Sequence, residues 1–168
     1  IQIIPHNSYV MAPNLTMPEH IAPTGNYNPS VMLEIRNSFL TLYKGNNLSL
    51  GEKIYISRRN AAYRHILNED EVIEVVESYG FKVISFEDYS FNEQISIMKN
   101  ARYVVGIIGA NLVNIMFMKK NGFMLEFREK GDKENNAYLS LASAIGINFL
   151  YQFCDYSNKN NALLHIFD

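Results

Sequence analysis

The chain has almost no cysteine. Of its 168 residues only Cys154 carries a thiol, which excludes an internal disulfide and any zinc site built from cysteines. That fits a reducing compartment or a fold that needs no cross-links. An excess of charge is also missing: 15 basic against 17 acidic residues leave a net charge of -2, with no general attraction to nucleic acid or an anionic membrane. Basic residues that matter must therefore act locally. No apolar run approaches the roughly 20 residues a spanning helix needs, and no basic-then-apolar leader opens the chain. The first residue is Ile1 rather than methionine, as expected of a fragment. His6, His20, His65 and His165 have no metal-ligand spacing and read as structural, so no metal site is expected. Neither GxGxxG nor GxxxxGK[ST] occurs, which disfavours ordinary NAD or ATP chemistry.

What is present is enough apolar sequence, 48% of residues, to bury the core of one soluble α/β domain. Residues 1–28 hold Pro5, Pro13, Pro18 and Pro23 and read as an irregular connecting arm, with at most short strands at Ile3-Ile4 or Tyr9-Val10-Met11. Residues 29–168 read as one Rossmann-like domain. Asn28-Pro29 opens a helix whose Met32, Ile35, Phe39, Leu42 and Tyr43 share a face, and the Gly45-Asn46-Asn47 turn ends it. The triplets Asn14-Leu-Thr16 and Asn47-Leu-Ser49 are chance matches to a glycosylation signal in an Asn-rich chain.

From Lys53 onward β-type runs alternate with helical patterns, the signature of a parallel sheet with helices on both faces. Strands are predicted at Lys53 to Ser57, Lys82 to Phe86, Tyr103 to Ile107, Phe123 to Phe127 and Asn148 to Tyr151. Asn68 is expected to cap a helix with Glu69, Asp70 and Glu71 in its first turn and Val72, Val75, Val76 and Tyr79 as its buried stripe, stopped at Gly80. Ser90 to Glu93 spells a capping box before Ile95 and Met98. Further helices are predicted over Ala110 to Met118 and Glu134 to Ile145.

In an open parallel sheet ligands bind beyond the carboxyl ends of the strands. After the first strand come Ser57, Arg58, Arg59 and Arg64; after the second, Glu87 and Asp88; after the third, Gly109, Ala110 and Asn111; after the fourth, Arg128 and Glu129. Arginines for phosphates, small residues at a helix start and a carboxylate for ribose or base suit a nucleotide diphosphate. An Arg-Arg pair in a turn is ordinarily a solvated face, and its position after a strand argues for more. Glu69 and Glu71 read as first-turn dipole partners, and Glu93 as the closing residue of its capping box.

These residues together resemble glycosyltransferase family 61, whose members carry a strand, Ser-Arg, a second Arg and then Asn-Glu before a helix. Here the run is Ile54-Tyr-Ile-Ser-Arg58, Arg64 and Asn68-Glu69. Gly80-Phe81, Glu87, Ser90-Phe91, Glu93-Gln94 and Ala101 are similar to the next block, and Gly106, Gly109-Ala110, Leu112, Asn114, Phe117 and Glu126 to the third. The likeness covers about residues 24 to 130.

The resemblance implies the donor-binding C-terminal half of an inverting GT-B glycosyltransferase, with a nucleotide diphosphate sugar as donor substrate, no other cofactor and no metal. Arg58 and Arg64 would engage the diphosphate, Gly109 and Ala110 would give backbone contacts, Asn114 would hold that turn, and Glu87 with Gln94 would lie near the nucleoside. The catalytic base stays unassigned, with Glu87 and Asp88 as the carboxylates to test. The implied partners are a glycan or polysaccharide acceptor and a missing N-terminal acceptor domain, without which the fragment should transfer no sugar. Bacterial relatives act in capsular polysaccharide synthesis, implying a cytoplasmic enzyme, and eukaryotic ones in the secretory-pathway lumen. One departure stands out: Ile108 replaces the histidine of the family's His-Gly-Ala. Strand alternation predicts that Ile108 faces the ligand. Two other readings share the fold: a non-catalytic nucleotide-sugar-binding module and a regulatory anion-binding domain.

Overall fold

The computed structural model describes residues 25–43, 48–62, 64–132, 135–158 and 163–165, with Tyr9, Met11, Pro13, Asn14, Thr16 and Glu19 before them. The Ile3-Ile4 strand, Val10 in the centre of its neighbour, the Gly45-Asn46-Asn47 turn and His6, His20 and Glu134 lie outside the described residues.

Twelve elements follow in order: α1 (Pro29–Leu42), β1 (Lys53–Ile56), α2 (Glu69–Ser78), β2 (Lys82–Ile84), a 3-10 turn (Phe86–Asp88), α3 (Phe91–Asn100), β3 (Tyr103–Ile107), a 3-10 helix (Ala110–Phe117), β4 (Phe123–Glu129), α4 (Ala137–Ile145), β5 (Asn148–Asn158) and β6 (Leu163–His165). The strands form one sheet in the order β2-β1-β3-β4-β5-β6. The first five are parallel, and β6 runs antiparallel against the far end of β5. The chain steps one way from β1 to β2, then back past β1 to β3, β4 and β5. Because such crossovers are right-handed, the reversal puts α2 on one face and α3, the 3-10 helix and α4 on the other. The two buried clusters match this division. One joins Val72 and Val76 of α2 to Tyr55, Val105, Ile107 and Phe127 of the sheet. The other joins α3, the 3-10 helix and α4 to Ile54, Ile56, Val104 and Met124, with α1 packed over it. The reversal leaves a crevice at the carboxyl ends of β1 and β3, the place where such sheets bind ligands.

Local chemistry sets the element ends. Asn28 Oδ1 accepts from the N–H groups of Ser30 and Val31 at 3.1 and 3.3 Å, and Pro29 fills the first helical position of α1. Met32, Phe39 and Tyr43 pack on the core, but Ile35 and Leu42 are exposed, so the buried stripe is narrower than the sequence predicts. Of the predicted stripe of α2 only the i, i+4 pair Val72 and Val76 is buried, while Val75 and Tyr79 face solvent because the sheet touches one row of this ten-residue helix. Asn68 stands at the expected cap position without accepting a cap hydrogen bond; its Nδ2 donates to Glu71 Oε2 at 3.0 Å. The Ser90–Glu93 capping box forms at the start of α3. Residues 110–117 wind as a 3-10 helix, with Leu112 N–H donating to Gly109 O and Met118 N–H to Ile115 O. Its period of three lines up Leu112, Ile115 and Met118, each at most 1% exposed, as one ridge on the core.

Candidate functional site

β1 delivers Ser57 and Arg58 to the crevice. Ser57 N–H still pairs with Ile84 O at 2.8 Å, so the sheet holds the backbone up to the residue before the arginine. The Arg58 guanidinium lies close against Gly109, just past the end of β3. A Cβ on Gly109 would stand 2.7 Å from Arg58 Nη1 and 3.0 Å from Cζ, so only glycine leaves room for the arginine in this position. Gly109 itself has extended backbone, φ 172° and ψ 166°, so close approach rather than an unusual turn requires it. Ala110 follows as the exposed first residue of the 3-10 helix.

Tyr138, near the start of α4, closes the other side by donating its hydroxyl to Gly109 O at 2.6 Å. Burial raises the Tyr138 pKa, Tyr27 and Glu126 raise it further, and the charges of Arg64 and Arg58 oppose them. Those influences put both arginines within electrostatic reach of one hydroxyl. Arg64 is exposed and holds a left-handed backbone, φ 63°. Arg58, Gly109 and Ala110 therefore lie together where β1 and β3 end, a cation on small residues that suits an anion, and Arg64 stands within electrostatic reach of the same Tyr138 hydroxyl. Arg59 turns the other way, its Nη2 donating to Asp70 Oδ1 and its Nε 3.7 Å from Glu69 Oε2.

The remaining predicted residues form a second group beside the 3-10 turn after β2. Glu87 and Asp88 are exposed, and Glu87 Oε1 accepts from Asn111 Nδ2 at 3.3 Å. Gln94 Nε2 donates to Phe86 O and Tyr89 O, both at 2.9 Å, while its Oε1 accepts from the buried Asn114 Nδ2 at 3.1 Å. Gln94 and Asn114 thus staple the turn after β2 to the 3-10 helix. A cavity of about 230 Å³ opens beside this group at the ends of β1 and β2, lined by Ser57, Arg59, Asn60, Ser85, Asp88 and Tyr89. Among the described residues, a larger hollow of about 790 Å³ is lined by α1 and by no strand end.

Several expectations are corrected here. Ile108 does not face the crevice: it is 8% exposed and packs with Ile66, Ile107, Phe127 and Cys154. Its N–H donates to Phe127 O at 3.1 Å, and both Ile107 and Ile108 reach the same cluster, so alternation fails just past the strand end. Glu69 is more than a dipole partner, since it is buried and accepts from the Tyr55 hydroxyl at 2.9 Å. Desolvation by burial, reinforced by Glu69, holds that phenol far above its ordinary pKa, and it stays a neutral donor.

The sequence also conceals a charged pair. Glu126 and Arg128 point inward from β4, 0% and 6% exposed, with Arg128 Nε donating to Glu126 Oε1 at 2.7 Å. Among the described residues Glu126 Oε2 and Arg128 Nη2 have no hydrogen-bond partner. Burial raises the Glu126 pKa, and Arg128 pulls against that rise. Charges at i and i+2 of a strand ordinarily mark a solvent face, so nothing in the pattern marks them as buried. Among the described residues no three His, Cys, Asp or Glu side chains gather in a metal-binding group, and no helix is long and apolar enough to cross a membrane.

A family model described as Glycosyltransferase 61 matches residues 2–125. The chain is 32% identical over 98 residues to an EGF domain-specific O-linked N-acetylglucosamine transferase of Drosophila melanogaster, covering 56% of this chain and 18% of that protein. It is 26% identical over 103 residues to the protein of that name from Bos taurus and 27% to that from Gallus gallus, each over 58% of this chain and 19% of the relative. The aligned stretch is thus about a fifth of these relatives' length. The family match spans most of the 168 residues, and the chain belongs to the glycosyltransferase 61 family.

Proposed function

We propose that this chain is the nucleotide-sugar-binding part of an inverting glycosyltransferase of the GT-B type, with the acceptor bound by a separate half outside these residues. The observation that carries the proposal is the Arg58 guanidinium seated on Gly109 at the sheet's reversal point; the charge of Arg64, felt at the same Tyr138 hydroxyl, supports it. In an inverting transfer an acceptor hydroxyl attacks the anomeric carbon, and the bond from that carbon to the nucleotide diphosphate breaks. Negative charge grows on the departing diphosphate, and fixed cations already in place lower that barrier. Arg58 and Arg64 are those cations, with Gly109 and Ala110 admitting the phosphates close to the backbone. Glu87 is held by Asn111 at the rim, where Gln94 and Asn114 shape the wall, so Glu87 is the carboxylate for the nucleoside and, with Asp88, for a test of base catalysis.

The relatives' names favour N-acetylglucosamine as the sugar and a protein domain as the acceptor over a capsular polysaccharide. EGF domains are disulfide-dense and form in oxidising compartments, so this reading puts the chain in the secretory lumen rather than the cytoplasm. Titration with UDP and UDP-N-acetylglucosamine tests the site. Arg58→Ala and Arg64→Ala should each weaken binding by about 10- to 150-fold, since a charge-assisted hydrogen bond contributes ~1.5–3 kcal/mol, while Arg59→Ala does less. No binding of either nucleotide at millimolar concentration would refute the proposal. The burial of Ile108 favours one second reading, a binding module without transferase activity. Donor binding without transfer, even when an acceptor half is supplied, would select it.

A further inference from the structure

Beside the arginine crevice, the β4–β5 side of the sheet carries a second constellation. Glu126 is paired in register with Tyr151 and Arg128 with Phe153, so the four side chains stand on one face of adjacent parallel strands. Tyr151 and Phe153 are 54% and 43% exposed and meet edge to face with ring centroids 5.0 Å apart. Exposed aromatic pairs at a sheet edge are costly to leave bare. Beside them on β4 are the two atoms that lack partners among the described residues, Glu126 Oε2, an acceptor, and Arg128 Nη2, a donor. Buried polar atoms in native proteins are nearly always satisfied, so two adjacent exceptions of opposite kind call for a missing group that both donates and accepts. A hydroxyl does both.

We propose that Glu126, Arg128, Tyr151 and Phe153 form a subsite for a pyranose ring, with one ring hydroxyl between Glu126 Oε2 and Arg128 Nη2 and an apolar sugar face against Tyr151. In the free chain the Arg128 guanidinium carbon lies 5.9 Å from the centroid of the Tyr151 ring and leaves that ring half exposed. The contact with the ring is weak beside the Arg128 Nε bond to Glu126, so an arriving sugar turns the guanidinium off the ring while that bond holds, and Nη2 donates to the sugar hydroxyl. The glycosyltransferase reading supplies two sources for the ring, the donor's sugar or the acceptor's, and the proposal rests on that reading only for the donor source.

The test titrates the chain with UDP-N-acetylglucosamine, UDP and methyl N-acetylglucosaminide, following the Tyr ring resonances by NMR. If the ring is the donor's, the nucleotide sugar binds about tenfold or more tighter than UDP, as one charge-assisted hydrogen bond requires. Tyr151→Ala and Glu126→Gln then erase that margin, and Tyr151→Ala leaves UDP affinity unchanged. If the ring is the acceptor's, the glycoside binds alone and shifts the Tyr151 resonances, and Tyr151→Ala abolishes its binding. Tyr151 is half exposed, so its loss reports on binding even if Glu126→Gln disturbs folding. The proposal is overturned if the margin is the same in wild type and Tyr151→Ala and the glycoside does not bind. Failure of UDP to bind would instead retract the diphosphate site, and the glycoside alone would then decide the subsite.

Discussion

Adding one methyl group at Gly109 should cost the chain its diphosphate affinity and little of its stability. An alanine Cβ there would stand 2.7 Å from Arg58 Nη1, 3.0 Å from Cζ and 3.2 Å from Nε. These atoms end a long flexible side chain, so the guanidinium swings away and the fold is spared. The extended backbone of Gly109 accepts any residue, and a compatible Gly→Ala change itself stabilises by about 0.4–1 kcal/mol through the unfolded chain. The loss falls on the ligand. Displacing a cation that hydrogen-bonds phosphate removes ~1.5–3 kcal/mol, or about 10- to 150-fold in Kd. Calorimetric titration with UDP gives the affinity, and thermal melts show that the fold persists. Gly106→Ala is the contrast: its Cβ would meet Leu112 Cδ2 at 3.1 Å and Ile56 O at 3.4 Å inside the core, which should cost ~1–3 kcal/mol of stability. Wild-type affinity in Gly109→Ala would show that the seating of Arg58 on this glycine has nothing to do with binding.

Other perturbations test the buried polar groups. Tyr55→Phe removes the donor to Glu69 and should destabilise by ~1–3 kcal/mol in denaturant unfolding, because the carboxylate stays buried. Arg128→Met leaves Glu126 charged and alone and should cost ~3–5 kcal/mol at neutral pH, whereas Glu126→Met with Arg128→Met should cost much less. Burial raises the folded pKa of Glu126 above its unfolded value, so protonation favours the folded state. Arg128→Met should therefore recover stability as pH falls through that raised pKa, and a flat profile would contradict the burial argument. Cys154, its thiol pushed up to about 11 by burial, should resist a thiol reagent at mildly alkaline pH until the chain is unfolded. Ile108→His should lower the melting temperature by burying an imidazole, at ~1–3 kcal/mol, and leave UDP affinity unimproved.

The sheet was legible because β-branched and aromatic runs between turn residues carry their own boundaries: Tyr103–Ile107 has the predicted ends, and Lys53–Ile56 falls one residue short. β5 runs to Asn158, well past Tyr151, because its pairing with β4 holds through Glu129 and Cys154 and β6 pairs with it from Asp155 onward, whatever the local pattern. The placement of Arg58 and Gly109 could be read because residues that follow a strand end must lie at the sheet's carboxyl edge. Tyr138 could not, since its bond to Gly109 spans 29 residues and no local pattern encodes it. The Glu126–Arg128 pair hides for the opposite reason, as two charges on one strand face look like solvent exposure. In α2 the apolar stripe is real, but how much of it the sheet covers is decided by packing, which left Val75 and Tyr79 outside.

The winding of residues 110–117 limits how this sequence can drift. With three residues per turn, one inserted residue rotates everything after it by about 120°. Leu112, Ile115 and Met118 would leave their common line, and Asn114 would lose its hold on Gln94. Length changes here are therefore tolerable only in threes, while point substitutions that respect the ridge are cheap. The connection from β3 to β4 should evolve by exchange of side chains at fixed length.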